Sequence, residues 1–303
     1  MESPKKEEEN ILKFEPGKTY FFISFALVCG GKSTFYEVIK TETEKEKEKY
    51  NIKLVSSDKI REELSLKMQK DKPEMTFKQC FDKVGKETAE EFNIQIQNAI
   101  DSVEKEKINI ILVDKNYPQG IDKFLELFCK DKKSQFFLVF IPNIKKPINI
   151  NNIKFPFSLD YFIQCYLRLK NRHGHEVLNG EDEQSKFVYI SFMKLFQNFD
   201  FDNKINSNKE FRQNVFLKKI DFTDENKDIK VDSSTEKFFK KVMNKMRPFK
   251  MDLIKKYHEK DINAYFKEIE EKYDGKNFFD DTRELIKSEV EDLLKNGIQF
   301  NKK

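Results

Sequence analysis

Residues Lys18–Lys40 read KTYFFISFALVCGGKSTFYEVIK. The apolar, aromatic run Tyr20–Val28 has the character of a strand, a glycine pair breaks it, and Lys32-Ser33-Thr34 opens a segment with helical spacing. That order is the grammar of a phosphate-binding loop. A triphosphate needs several backbone N–H groups converging on it, and at the turn Cys29-Gly30-Gly31 the two glycines let the chain curl without Cβ atoms in the way. Lys32 would neutralise the β- and γ-phosphates, the Ser33 hydroxyl would ligate Mg²⁺, and Thr34 is a second, weaker hydroxyl. The helix that follows adds the partial positive charge of its N-terminus. The match to G-x-x-x-x-G-K-[ST] is incomplete, because Ala26 stands at the first glycine. A strand-to-helix turn that merely carries Gly-Gly-Lys-Ser is the competing reading, and the flanking strand and helix patterns weigh against it.

Outward from the loop, Thr41–Lys49 is an alternating-charge run suited to a solvated helix end. Ile52–Val55 then forms a short strand, followed at once by Ser56-Ser57-Asp58-Lys59-Ile60-Arg61. A carboxylate just past a strand's carboxyl end is where an open α/β sheet keeps its reactive groups. Asp58 can accept the proton of an attacking hydroxyl, and Arg61, three residues on and on roughly the same helix face, can grip a substrate phosphate. Capping of the helix by Ser57 or Asp58 is the alternative use. Thr76–Lys105 has helical spacing, as one helix or two. Ile108–Asp114 (INIILVD) is a continuous β-branched run expected of a strand covered on both faces. Asp114 ends that strand, where it would hold Mg²⁺ through water, touch the acceptor, or simply turn the chain.

A helix over Gly120–Lys130 and a strand over Phe136–Ile141 continue the alternation, and Pro142–Phe157 reads as an exposed connection. Ser158 can start a helix carrying Arg168 and Arg172 on one face, four residues apart, before His173-Gly174-His175 dissolves it. Two arginines at such a helix end suit a lid over a triphosphate, and two surface arginines are the plainer reading. Val215–Phe222 is the fifth strand candidate, and Ser233–Met246 a helix that Arg247-Pro248 ends. The expected fold is α/β: three layers of P-loop NTPase/kinase type, with a mostly parallel five-stranded sheet whose order, 2-3-1-4-5, is taken by analogy from the P-loop kinases that the motifs resemble. Its domains would be a flexible tail over 1–15, a kinase-like domain over 16–247, and a C-terminal helical extension over 248–303 that could recruit a protein partner.

Composition bounds the function. Fifty-seven basic against 53 acidic residues in a chain of 303 give a net charge of +4, too close to balance to argue for nucleic acid. Only six arginines occur, and Arg61, Arg168 and Arg172 are three of them, so in a lysine-rich chain each points to a need for the planar fork. The four cysteines form no C-x-x-C pair and MESPKKEEEN is no secretory leader, which points to a reducing compartment, cytoplasm or nucleus, and to no zinc site. Cys29 is either oxidisable or a small residue that fits the turn. No apolar run is long enough to span a bilayer, so no membrane is expected.

In order, GGKST, SSDKIR, LVDKN and CYLRLKNRHGH resemble the polynucleotide 5′-kinase branch of the P-loop phosphotransferases, above all the kinase domain of fungal-type tRNA ligases. The resemblance covers about Gly17–Arg247, and in that family the loop also tolerates alanine at its first position. It implies that Lys32 and Ser33 hold the phosphates and Mg²⁺ of ATP or GTP, and that Asp58 is the general base on a 5′-hydroxyl. It also implies that Arg61 binds the neighbouring phosphate of an RNA or DNA end, that Arg168 and Arg172 are lid arginines, and that His175 follows them. Asp114 and Asn116 match an Asp-x-Asn region. Two departures are visible: cysteine and glycine are exchanged within the loop, and Lys115 stands where arginine is common. A nucleotide-binding scaffold without turnover and a small-metabolite kinase are the rival expectations.

Overall fold

The computed structural model describes residues 11–115, 121–131, 133–142, 148–150, 153–155, 215–220 and 231–257, with single positions between 165 and 196. Within that range the strands are β1 (Thr19–Ser24), β2 (Tyr50–Ser56), β3 (Ile108–Asp114), β4 (Gln135–Pro142), β5 (Ile148–Ile150), β6 (Ile153–Phe155) and β7 (Val215–Ile220). The helices are α1 (Lys32–Glu44), α2 (Ser57–Asp71), α3 (Phe77–Lys83), α4 (Gly85–Asp101), α5 (Ile121–Phe128) and α6 (Ser233–Tyr257).

Five strands form one sheet in the order β2-β3-β1-β4-β7, with every neighbouring pair parallel. This is the 2-3-1-4-5 order expected, with β7 as the fifth strand, and it is the topology of a P-loop kinase fold. β1 and β3 are buried along their whole length because each has a strand on either side and helices above and below. Alternate side chains of β1 show the layers directly. Phe21 meets Phe137 in a stack at 4.6 Å and the edge of Phe124 on α5. Phe22, on the other face, meets Phe140 and Phe239 of α6, and Phe140 in turn meets Phe35 of α1. Each fully buried phenyl contributes about 2 kcal/mol of transfer free energy, so this aromatic ladder dominates the core.

Parallel pairing places the carboxyl ends of β2, β3 and β1 on one rim. The register sets Ser56 opposite Asp114, and Ile23 opposite Val113, so Ser24 falls level with Asp114. Ser24, Asp114 and Ser56 therefore line up across three adjacent strands, and equal alternation puts all three on the face covered by α1.

Three expectations are corrected. Leu12 and Phe14, assigned to a flexible tail over 1–15, are buried: Leu12 bridges Val231 and Phe14 packs on Tyr20 and Phe238. Their charged neighbours mask two apolar residues that the core needs. Residues 148–155, read as part of an exposed connection, include the antiparallel pair β5–β6, too short to show a period. Helix α6 does not stop at Arg247-Pro248 but continues to Tyr257, since a proline removes one helical hydrogen bond without having to end the helix. The region Thr76–Lys105, left open between one helix and two, is two, with Thr76 and Gln79 forming a capping box at the start of α3. From residue 258 onward the expected helical extension lies outside the described residues. No helix among the described residues is long and apolar enough to cross a membrane.

Backbone contacts divide the chain into two compact units. One comprises Met1–Ala26, Gly31–Pro142 and Phe201–Asn244 and holds the five-stranded sheet, and the other comprises Leu27–Gly30, Asn143–Asp200 and Lys245–Lys303.

Asp232 caps α6. Its carboxylate accepts from the Thr235 and Ser234 amides at 3.0 and 3.3 Å and from the Ser234 hydroxyl at 2.7 Å. Burial pushes its pKa up, but these hydrogen bonds outweigh that and hold it at about 2, below the ordinary 3.8. A depressed carboxyl pKa contributes stability above the unfolded value and loses it as pH falls through the folded one. Asp232→Ala is therefore expected to lower stability by about 1 kcal/mol at neutral pH. Denaturant melts of the variant should also lack the part of the acid dependence that the wild type shows as pH falls from 3.8 toward 2.

Candidate functional site

The loop grows out of β1. Phe25 N–H donates to Phe140 O at 2.8 Å, extending the β1–β4 ladder by one residue, and Gly30 N–H donates back to Leu27 O at 2.9 Å to close a tight turn. Two residues take left-handed backbone: Cys29 at φ 62° and Gly31 at φ 89°. Gly30, between them, does not. Gly31 is also the residue that caps α1, and having no side chain it offers the first N–H groups of that helix no side-chain cap. Those donors point out of the helix end, which is the arrangement that receives a phosphate.

Cys29 takes, as a non-glycine residue, a conformation that costs an L-amino acid about 1 kcal/mol. Cys29→Gly is expected to leave thermal stability within about 1 kcal/mol of wild type, because relief of strain offsets the greater freedom of glycine in the unfolded chain. Cys29→Val, β-branched and least suited to positive φ, is expected to lose about 2 kcal/mol. Equal loss in both variants, measured by chemical denaturation, would show that thiol packing rather than backbone conformation matters there.

Around that loop the structure brings together residues far apart in sequence. The Lys32 ammonium pairs with Asp114 Oδ1, and Ser56 Oγ donates to Asp114 Oδ2 at 3.1 Å. Asp114 is 9% exposed and Ser56 5%, so this carboxylate is shielded and has a partner on each oxygen. Below it, the Tyr36 hydroxyl lies 3.0 Å from the carbonyls of both Phe22 and Val113, tying β1 to β3, and burial pushes its pKa up. Ser24 Oγ lies near that hydroxyl without hydrogen-bond geometry to it and is a buried orphan. Ser33 and Thr34 follow Lys32 in the first turn of α1, Ser33 exposed and Thr34 partly so.

These donors fit magnesium. The Ser33 hydroxyl and the Asp114 carboxylate are hard oxygens, Mg²⁺ asks for only one or two protein oxygens beside water and phosphate, and the orphaned Ser24 hydroxyl at the same rim is an atom that an ordered water would satisfy. No group of three His, Cys, Asp or Glu side chains suited to a metal occurs among the described residues.

Asp58 sits exposed in the first turn of α2, two residues past the end of β2. Arg61 turns away from solvent. Its Nε donates to Phe81 O at 3.0 Å and its guanidinium lies 3.9 Å from the centroid of the Phe81 ring on α3. Burial lowers its pKa, against the attraction of Asp82 and Asp58. Among the described residues it makes no ion pair within 4.0 Å, although Asp82 and Asp58 lie close enough to attract it. Lys115, directly after Asp114, lies 4.8 Å over the Phe92 ring of α4, and burial lowers its pKa too.

In the second unit, Arg168 Nη1 donates to the Cys29 carbonyl at 2.9 Å, and Arg172 Nη1 lies 3.8 Å from Cys29 Sγ. Cys165 and Leu169, close to these arginines in sequence, are buried. Arg168 Nε is buried with no partner. Burial raises the Cys29 thiol pKa ahead of the opposing pull of Arg172, so at neutral pH it is a thiol and not the reactive thiolate. Asn116 and His175 lie outside the described residues.

Sequence reasoning missed Ser56 and Tyr36. Ser56 lay within a quoted motif but carries no signal of its own, since its role depends on the β2–β3 register. Phe81, within the stretch of helical spacing over Thr76–Lys105, is the seat of Arg61.

Profiles of known protein families give no match to the chain, and curated proteins give none. Among solved structures, the chain is similar to a gluconokinase from Sinorhizobium meliloti 1021 at 12% identity and a TM-score of 0.35, covering 82% of this chain and 100% of that one. That likeness is too slight to bear on substrate.

Proposed function

We propose that this chain is an NTP-dependent phosphotransferase that moves the γ-phosphoryl group of ATP or GTP to the 5′-hydroxyl of an RNA or DNA end. The observation that carries the reading is the Lys32–Asp114 pair at a helix N-terminus without a side-chain cap from Gly31: a cation held by a carboxylate at the place where a triphosphate would take it over. On nucleotide binding Lys32 exchanges Asp114 for the β- and γ-phosphates, and the first N–H groups of α1 close on the same oxygens. Asp58 takes the proton of the attacking hydroxyl. Bound Mg²⁺, on Ser33 and Asp114, would supply charge neutralisation of the phosphates. Arg168 and Arg172, already seated on Cys29 of the loop segment, are the lid arginines of this reading.

Arg61 supports this choice of acceptor class. A guanidinium fixed by a backbone carbonyl and a ring, and not in an ion pair within 4.0 Å among the described residues, fits an acceptor with its own anionic group near the reacting hydroxyl. A 5′-terminal nucleotide joined to a phosphodiester has one, and a neutral sugar does not. Transfer of labelled γ-phosphate to oligoribonucleotide, oligodeoxyribonucleotide, nucleoside and sugar acceptors tests this. Labelling of 5′-hydroxyl oligonucleotides is expected. Labelling of neutral small acceptors alone would replace the reading with a small-metabolite kinase, and Mg-NTP binding with no transfer to any acceptor would replace it with a scaffold.

A further inference from the structure

Ser56 stands at the N-cap of α2 with extended backbone, φ −116° and ψ 119°, where a serine normally turns its oxygen to the helix's first N–H groups. It makes no such bond. The chain caps elsewhere when it can: Thr76 caps α3 by its side chain and Asp232 caps α6. Ser56 is diverted because its hydroxyl donates to Asp114 Oδ2, its register partner across β2 and β3. Asp114 thus has two described partners with different fates. Lys32, on Oδ1, is the one that a nucleotide draws away. Ser56, anchored on the strand and shielded from solvent, has nowhere else to go.

We propose that Ser56 is the positioning residue of the site: it holds the Asp114 carboxylate in the orientation that receives the metal of a metal–nucleotide complex after Lys32 has left. The inference rests on the reading of Lys32 and Asp114 as a nucleotide–metal site. It adds that a hydroxyl donated by the acceptor-side helix α2 governs how well Asp114 serves that site. Supporting partners of this kind change metal affinity or activity by about 10- to 100-fold when removed.

The test compares Ser56→Ala, Ser56→Thr and Ser56→Val in the full chain by calorimetric titration with ATP and with GTP, first in EDTA and then across a Mg²⁺ series. Thr and Val have the same shape, so their difference isolates the hydroxyl from any packing change at this buried position. Expected is a rise of about 10-fold or more in the Mg²⁺ needed for half-maximal enhancement of binding in Ala and Val, recovery in Thr, and unchanged affinity in EDTA. Equal Mg²⁺ dependence in Thr and Val, or equal losses with and without Mg²⁺, overturns the role of Ser56 while leaving the nucleotide site standing. Absence of nucleotide binding in the wild type overturns both.

Discussion

Lys32→Ala is expected to reduce phosphoryl transfer by at least about 10³-fold and to weaken nucleotide binding, because it removes the cation that pairs with the Asp114 carboxylate and that the proposed reading gives to the phosphates. The same substitution has a second effect of opposite diagnostic value. Asp114 is shielded, and without the ammonium its carboxylate keeps only the Ser56 hydroxyl as described partner. Leaving a buried charge half satisfied is expected to cost about 2 kcal/mol in stability. The double variant Lys32→Ala/Asp114→Ala removes both members and is expected to regain most of that stability, since deleting a pair costs less than orphaning one partner. It should regain no activity. Denaturant unfolding and single-turnover transfer on the four proteins separate the two roles. Retained transfer in Lys32→Ala alongside lost stability would mark the pair as structural and end the phosphate-loop reading.

Asp58→Asn is expected to lower kcat by about 10²- to 10⁴-fold, the usual contribution of a positioned general base, with nucleotide affinity unchanged. Stability should move little, because Asp58 is exposed and asparagine keeps a polar side chain in the first turn of α2. The contrast with Lys32 is the point of the pair: one variant loses binding, rate and stability together, the other rate alone. Unaltered kcat in Asp58→Asn would remove the base from the mechanism. A parallel fall in nucleotide affinity would instead place Asp58 on the nucleotide side of the rim.

The first site contact couples residues 32 and 114, and the second residues 56 and 114, so the start of α1 and the end of β2 meet at one carboxylate. Changes on either side of the sheet rim are therefore expected to be felt on the other. Positions joined this way depart from additivity, whereas Asp232, at the cap of α6 and bonded to Ser234 and Thr235, should combine additively with any of them.

Local pattern was enough for the elements themselves. A continuous β-branched run such as INIILVD has the pattern of a strand covered on both faces, and a glycine at the strand-to-helix joint before Lys-Ser-Thr offers the helix end no side-chain cap; strand order came instead from the family resemblance, because alternation of strands and helices does not order a sheet. Side-chain direction within one element is set by covalent geometry, which is why Asp58 and Asp114 were legible as strand-end carboxylates. What the tertiary structure alone decided is which distant side chains meet: Lys32 with Asp114, Ser56 with the other oxygen of that carboxylate, Arg61 with the Phe81 ring, Phe14 with Phe238. Those meetings depend on inter-strand register and on how helices seat on the sheet. Both are fixed by summed packing over many residues, and no short window of sequence contains that sum.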